Sequence, residues 1–131
     1  MKRLSLSALL GFVVMFPLSG LWHMVLMGDL YQTLGKPAGV PKMPFIALGY
    51  AVLAVIMAVL FSKMRQEKAY VTQGLMFGAV CGLLFSLPLS LIMVGIQDWS
   101  KKLVLIDAAW NIVNMGVGGL AIAYVYNKVK E

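Results

Sequence analysis

The sequence predicts an all-α integral membrane protein, a four-helix bundle built from two duplicated helical hairpins. Three observations carry that prediction. Of 131 residues, 61% are hydrophobic and only 12% charged, with a mean hydropathy of +0.88, whereas soluble domains are about a quarter charged. A 14.3 kDa chain has too little interior to hide that much apolar surface from water. The apolar residues also fall into four long stretches, and a helix needs about 20 of them to cross a hydrocarbon layer roughly 30 Å thick. A water-soluble enzyme, a disordered chain and a disulfide-stapled secreted module are excluded. Cys81 is the one cysteine, so neither a disulfide within the chain nor a cysteine metal cluster can form.

The first stretch, 4–28, follows Met1-Lys2-Arg3 and exceeds the apolar core of a secretory signal, about 7–15 residues. No Ala-x-Ala site closes it, so it reads as a retained first span. The connection 29–43 carries Gly35, Pro37, Gly39 and Pro41, which suit an ordered turn segment rather than a helix. The later spans are 44–62, 74–97 and 103–126, all within a single domain, 1–131. None holds a Lys, Arg or Glu, and Asp107 is the only acid in any of them. A barrel would need at least eight alternating segments of about ten residues, and the pattern offers none.

Charge sets the direction. The amino terminus, the central connection and the tail hold seven basic residues (Lys2, Arg3, Lys63, Arg65, Lys68, Lys128 and Lys130), and the other two connections hold four. The positive-inside rule then places both termini in the cytoplasm, with Asp29, Asp98 and Asp107 toward the outer side. A multi-pass protein of a bacterial inner membrane is expected. Net charge is +6, but no basic run is interleaved with stacking aromatics, so lipid headgroups rather than nucleic acid are the expected partner. Trp99, Tyr31, Tyr70, Tyr124 and Tyr126 lie near span ends, as interfacial rings do.

Shifting the chain by 71 residues lays Gly11, Pro17, Leu18 and Ser19 over Gly82, Pro88, Leu89 and Ser90. This reads as a hairpin repeated in one orientation, about an axis along the membrane normal. Pro17 and Pro88 are expected to kink spans one and three, with Ser19 and Ser90 serving freed backbone groups. Span three also carries Gly74, Gly78, Gly82, Ser86 and Ser90 four residues apart, a smooth face for close helix approach. Span one echoes it with Ser7, Gly11, Ser19 and His23, interrupted by Met15. Packing within the chain is the plain expectation for this face, with homodimerisation the alternative.

Two ionisable residues lie inside spans, where each costs about 2.5–3.5 kcal/mol on insertion scales: His23 and Asp107. Asp107, Asn111, Asn114 and Gly118 recur at helical spacing as one polar stripe. Counted at about 1.5 Å per residue, His23 and Asp107 sit at one level, roughly 6–8 Å below the outer boundary. Trp22, Trp110 and Asn111 flank them. One reading is a structural clasp. A second is a ligand or proton site formed by His23, Asp107, Asn111, Asn114, Trp22 and Trp110, because an imidazole changes charge near neutral pH. A third makes His23 an axial ligand to a haem or chlorin, for which a bis-histidine pair would need a symmetric partner. No nucleophile elbow, phosphate loop or paired carboxylates appear, so catalysis, a metal and a cofactor are not expected.

The segment Lys102-Leu103-Val104-Leu105-Ile106-Asp107-Ala108-Ala109-Trp110 resembles the opening of the last helix in small bacterial four-helix membrane proteins of a family of unknown function. That family places an Asp-x-x-Trp element there. Leu21-Trp22-His23-Met24 followed by Tyr31 is similar to its early Leu-Trp and Tyr. Where the family carries Tyr-Asp-x-Thr-Asn in its third helix, this chain reads Ser86-Leu87-Pro88-Leu89-Ser90, so a site using that element is absent or altered. The resemblance implies the fold. The residues themselves point to an outward-facing polar pocket that binds or transports a small molecule or proton. The alternative is an accessory subunit packing against a larger membrane complex through the span-three groove.

Overall fold

The structure, a computed structural model, describes residues 1–34, 42–66, 69–97 and 99–130. Gly35, Lys36, Pro37, Gly39, Pro41, Glu67, Lys68, Asp98 and Glu131 lie outside the described residues. Helix α1 (Lys2–Gly20) runs into a π-helical turn (Leu21–Leu26) and a short α2 (Gly28–Leu34). Then come α3 (Met43–Met64), α4 (Tyr70–Gln97) and α5 (Lys101–Lys128). Among the described residues there is no strand. Four helices are long and apolar enough to cross a membrane: α1 with its π turn, α3, α4 and α5. Their up-and-down order gathers Arg3, Arg65 and the close of α5 at one end of the bundle. The other end holds α2 and the start of α5.

The local reasons are visible in the sequence. Pro44 sits in the first turn of α3, where its missing N–H has no helical acceptor to lose. The hydroxyl of Ser100 accepts from the Lys102 N–H and caps α5. Most helices run past the apolar stretches by one to four residues because Lys, Gln, Met and Tyr continue a helix readily once the preceding turns are formed.

The first connection departs from expectation: 28–34 is a helix, not an irregular turn. The Gly and Pro residues that punctuate it begin only at Gly35. Before them, Asp29 lies in the first turn, where a helix favours negative charge. The Thr33 hydroxyl donates to the Asp29 carbonyl at 2.8 Å. The matched prolines also part ways. Regular α1 ends three residues after Pro17, and the chain widens until the Met27 N–H reaches back five residues to the Trp22 carbonyl at 2.9 Å. Helix α4 instead runs through Pro88 to Gln97.

Packing centres on α5. Half of its most apolar window is buried and its hydropathy is 1.4; α4 is 17% buried at 2.3 and α3 22% buried at 2.5. The most enclosed helix is thus the least apolar, the reverse of a water-soluble domain and the order that a lipid solvent requires. The small-residue face of α4 (Gly74, Gly78, Gly82, Ser86 and Ser90) is buried against α5. A Cβ at Gly74 would strike Gly119 and Ala123, one at Gly78 the Met115 backbone, and one at Gly82 the Asn111 backbone. The chain's own last helix therefore fills the groove. It is not free for a second copy or a larger complex, which corrects that part of the accessory-subunit reading.

On its other side α5 meets α1. Gly11 faces Ile122 and Ala54, and the fully buried Met15 drives its thioether into the notch at Gly118. Met15 extends the small-residue face of α1 as a knob rather than interrupting it. Ala54, Met57, Ala58 and Phe61 of α3 complete the core. Helices α3 and α4 scarcely meet, chiefly where Phe61 and Phe77 pack edge to face at 5.3 Å. Met15→Ala removes only packing, since lipid already solvates the unfolded helices. We expect it to cost about 2 kcal/mol, the low end for such truncations, read as a lower midpoint of unfolding in mixed micelles.

Candidate functional site

Five of the six residues singled out by polarity and spacing converge at the α2 end, and Asn114 lies one turn deeper. The π turn carries His23 inward, so that its Nε2 lies 3.5 Å from Asp107 Oδ1, with side chains 35% and 20% exposed. Four segments deliver donors to the Asp107 carboxylate. They are His23 from the π turn, the Tyr31 hydroxyl from α2 at 3.3 Å, the Ser90 hydroxyl from α4 at 3.4 Å, and Asn111 Nδ2 from α5 itself at 3.3 Å. Asn111 also donates to the Asp107 backbone carbonyl at 2.9 Å. All four side-chain contacts are long for a carboxylate, whose charge-assisted bonds usually run about 2.5–2.9 Å.

His23 Nδ1 lies 3.0 Å from the Ser19 carbonyl and 3.2 Å from the Ser19 hydroxyl oxygen. The carbonyl can only accept, while the hydroxyl can donate or accept, so the tautomer of the ring sets which of the two contacts is the hydrogen bond. Nδ1 thus faces Ser19, and Nε2 faces the Asp107 carboxylate.

Aromatic rings wall the pair. Trp22 and Trp110 stack face to face, with centroids 4.3 Å apart and planes 1° from parallel. Trp22 Nε1 donates to the Tyr31 hydroxyl at 3.3 Å, tying the stack to the carboxylate through one phenol. Burial, ahead of the Asp107 charge, pushes the Tyr31 phenol up to about 12 and keeps it a donor at neutral pH.

Deeper in, the Tyr50 hydroxyl of α3 donates to Ser19 Oγ at 2.6 Å. Asn114 is wholly buried, and beyond a loose contact with the Tyr50 hydroxyl neither its Nδ2 nor its Oδ1 meets a hydrogen-bond partner. A buried amide in that state is a place for water or a ligand atom, because leaving it bare costs about 1–3 kcal/mol. Below it the polar chain stops. Met15, Met57, Met115, Ile122 and Phe61, each no more than 2% exposed, form an apolar plug.

Four members of this cluster lie outside the six. Tyr31 reads in the sequence as an interfacial ring, because the break at Met27 that swings it toward Asp107 leaves no local signature. Ser19 and Ser90 read as partners for freed backbone groups; here they hold His23 and Asp107, while Ser7 and Ser86 bond the carbonyls of Leu4 and Gly82. Their spacing could have found them, Ser19 lying four residues before His23 and Ser90 ending the buried face of α4. Tyr50 had no signal, since only the packing of α3 on α1 brings it there. Among the described residues, no three His, Cys, Asp or Glu side chains converge as metal ligands do.

No curated protein and no solved structure matches the chain. A family model described as "Protein of unknown function (DUF1761)" matches residues 6–123. With nearly its whole length covered, the chain belongs to the DUF1761 family, whose function is unknown.

Proposed function

We propose that this is a non-catalytic, multi-pass protein of a bacterial inner membrane, both termini cytoplasmic, whose outward end binds a proton or a small hydrogen-bonding molecule. The observation that carries the reading is the His23–Asp107 pair, an imidazole and a carboxylate brought within 3.5 Å from two segments and left part-exposed. The buried Asn114 amide, held only loosely by the Tyr50 hydroxyl, supports it by giving a polar floor beneath the pair. Passage through the protein requires the plug beneath Asn114 to part, so binding is the role this conformation favours.

The Trp22–Trp110 stack supplies the readout, linked to the carboxylate through Tyr31. Tryptophan emission of the purified protein is expected to change with pH and with added small amines, alcohols or carboxylic acids. His23→Gln and Asp107→Asn should each abolish those changes while leaving the helical signal intact. Responses unaltered in both variants would reduce the cluster to a structural clasp.

A further inference from the structure

The terminal end of the bundle carries a second site. Around Tyr126 near the close of α5, two guanidinium groups lie over one ring, Arg3 at 5.9 Å and Arg65 at 5.6 Å from its centroid. Each spends one donor on the last turn of α5: Arg65 Nη1 to the Tyr126 carbonyl at 3.4 Å, Arg3 Nε to the Val129 carbonyl at 2.7 Å. A guanidinium has five donors, so Arg65 keeps four beyond that contact. Beside it opens a cavity of about 140 Å³, lined by Arg65, Gln66, Tyr70, Gln73, Tyr126 and Asn127 over a floor of Phe61 and Ala123. Gln73 braces the cavity, accepting from the Gln66 N–H at 3.0 Å and donating to the Met64 carbonyl at 3.3 Å.

The cavity does not stand alone. Phe61, Gln66 and Gln73 also line a second hollow, of about 330 Å³, that continues along the α3–α4 seam between Met64, Met76, Phe77 and Val80. This is the side on which the bundle stays open, because α3 and α4 meet so little. A basic, polar head thus leads into an apolar furrow. Among the described residues, Lys2, Arg3, Lys63, Arg65, Lys128 and Lys130 gather at this end, while the acids Asp29 and Asp107 belong to the opposite end.

We propose that the seam holds one anionic phospholipid, its phosphate at Arg65 and Gln73 and one acyl chain in the furrow between α3 and α4. Charge complementarity selects an anionic headgroup. Arg65 offers the planar donor fork that suits phosphate oxygens. The furrow excludes a free phosphate as the natural occupant, since a soluble anion leaves the apolar half unfilled.

The test is thermal unfolding of the purified full chain in detergent, titrated with phosphatidylglycerol or phosphatidylcholine of identical chains, and separately with glycerol 3-phosphate and inorganic phosphate. Phosphatidylglycerol is expected to raise the midpoint more than phosphatidylcholine, and the two soluble phosphates to leave it in place. Arg65→Gln should weaken the anionic lipid about fivefold, one basic contact's worth, and Lys130→Gln, in the tail, should not. Val80→Trp plugs the furrow, leaves Arg65 intact and should abolish the preference, which keeps the test decisive if Arg65→Gln unfolds. Equal stabilisation by both lipids, equal loss in Lys130→Gln, or retention in Val80→Trp would overturn the proposal. A matching rise with glycerol 3-phosphate or inorganic phosphate would reassign the site to a soluble anion.

Discussion

Replacing Gly78 with leucine should leave no folded protein. The glycine sits where the Met115 backbone crosses α4, and a Cβ there would meet the carbonyl carbon and oxygen of Met115 and the Cα of Gly116. These are backbone atoms of a helix and cannot swing aside as a flexible side chain does. Even Gly78→Ala is expected to cost about 3 kcal/mol, the upper part of the range for overpacking. Gly95→Ala makes the control: nothing lies within 4 Å of its Cβ position, and the better helix former should stabilise by up to about 1 kcal/mol. Unfolding midpoints in mixed micelles, with helical circular dichroism as the probe, separate the two. Equal behaviour of Gly78→Ala and Gly95→Ala would contradict the α4–α5 interface.

Asp107→Ala is the second large effect. Removing the carboxylate strips an acceptor from His23, Tyr31, Ser90 and Asn111 at once, and those donors come from four segments. A hydrogen bond to a charged group contributes about 1.5–3 kcal/mol when well formed. These contacts are long and the carboxyl is 20% exposed, so the combined loss is expected near 2–4 kcal/mol rather than several times that. Asp107→Asn keeps two acceptor lone pairs and the shape, and should lose about 1 kcal/mol. If Asp107→Ala cost no more than Asp107→Asn, the carboxylate would not be the point where the α2 end is tied together. Tryptophan emission adds a local check, because the stacked Trp22–Trp110 pair reaches Asp107 through Tyr31 and should loosen in the alanine variant.

Much of this architecture is written in period and composition. Four apolar stretches are legible because lipid imposes a length that few other constraints mimic. The glycines of α4 are legible as a packing face because they recur every four residues. Their partner is not, since a smooth face says that a backbone approaches without saying whose. His23 and Asp107 could be set at one level by counting residues from span ends. Their contact depends on the π turn, which moves His23 relative to a regular helix. Tyr50 escaped notice for the same reason: its role arises only when α3 lies against Ser19. The helical stretch 28–34 was hidden by reading the Gly and Pro residues after it as governing the whole connection.

The mixed character of α5 bears on how the molecule is made. Ribosomes deliver α1, α3 and α4 before it, and those three are greasy enough to dissolve in a bilayer singly. On the membrane reading proposed above, a rod bearing Asp107, Asn111 and Asn114, the least apolar of the four, is the one whose entry into a bilayer gains most from neighbours already waiting there. Until α5 arrives, the notched flank of α4 has no partner, so on that reading the final step of biogenesis is also the one that closes the core.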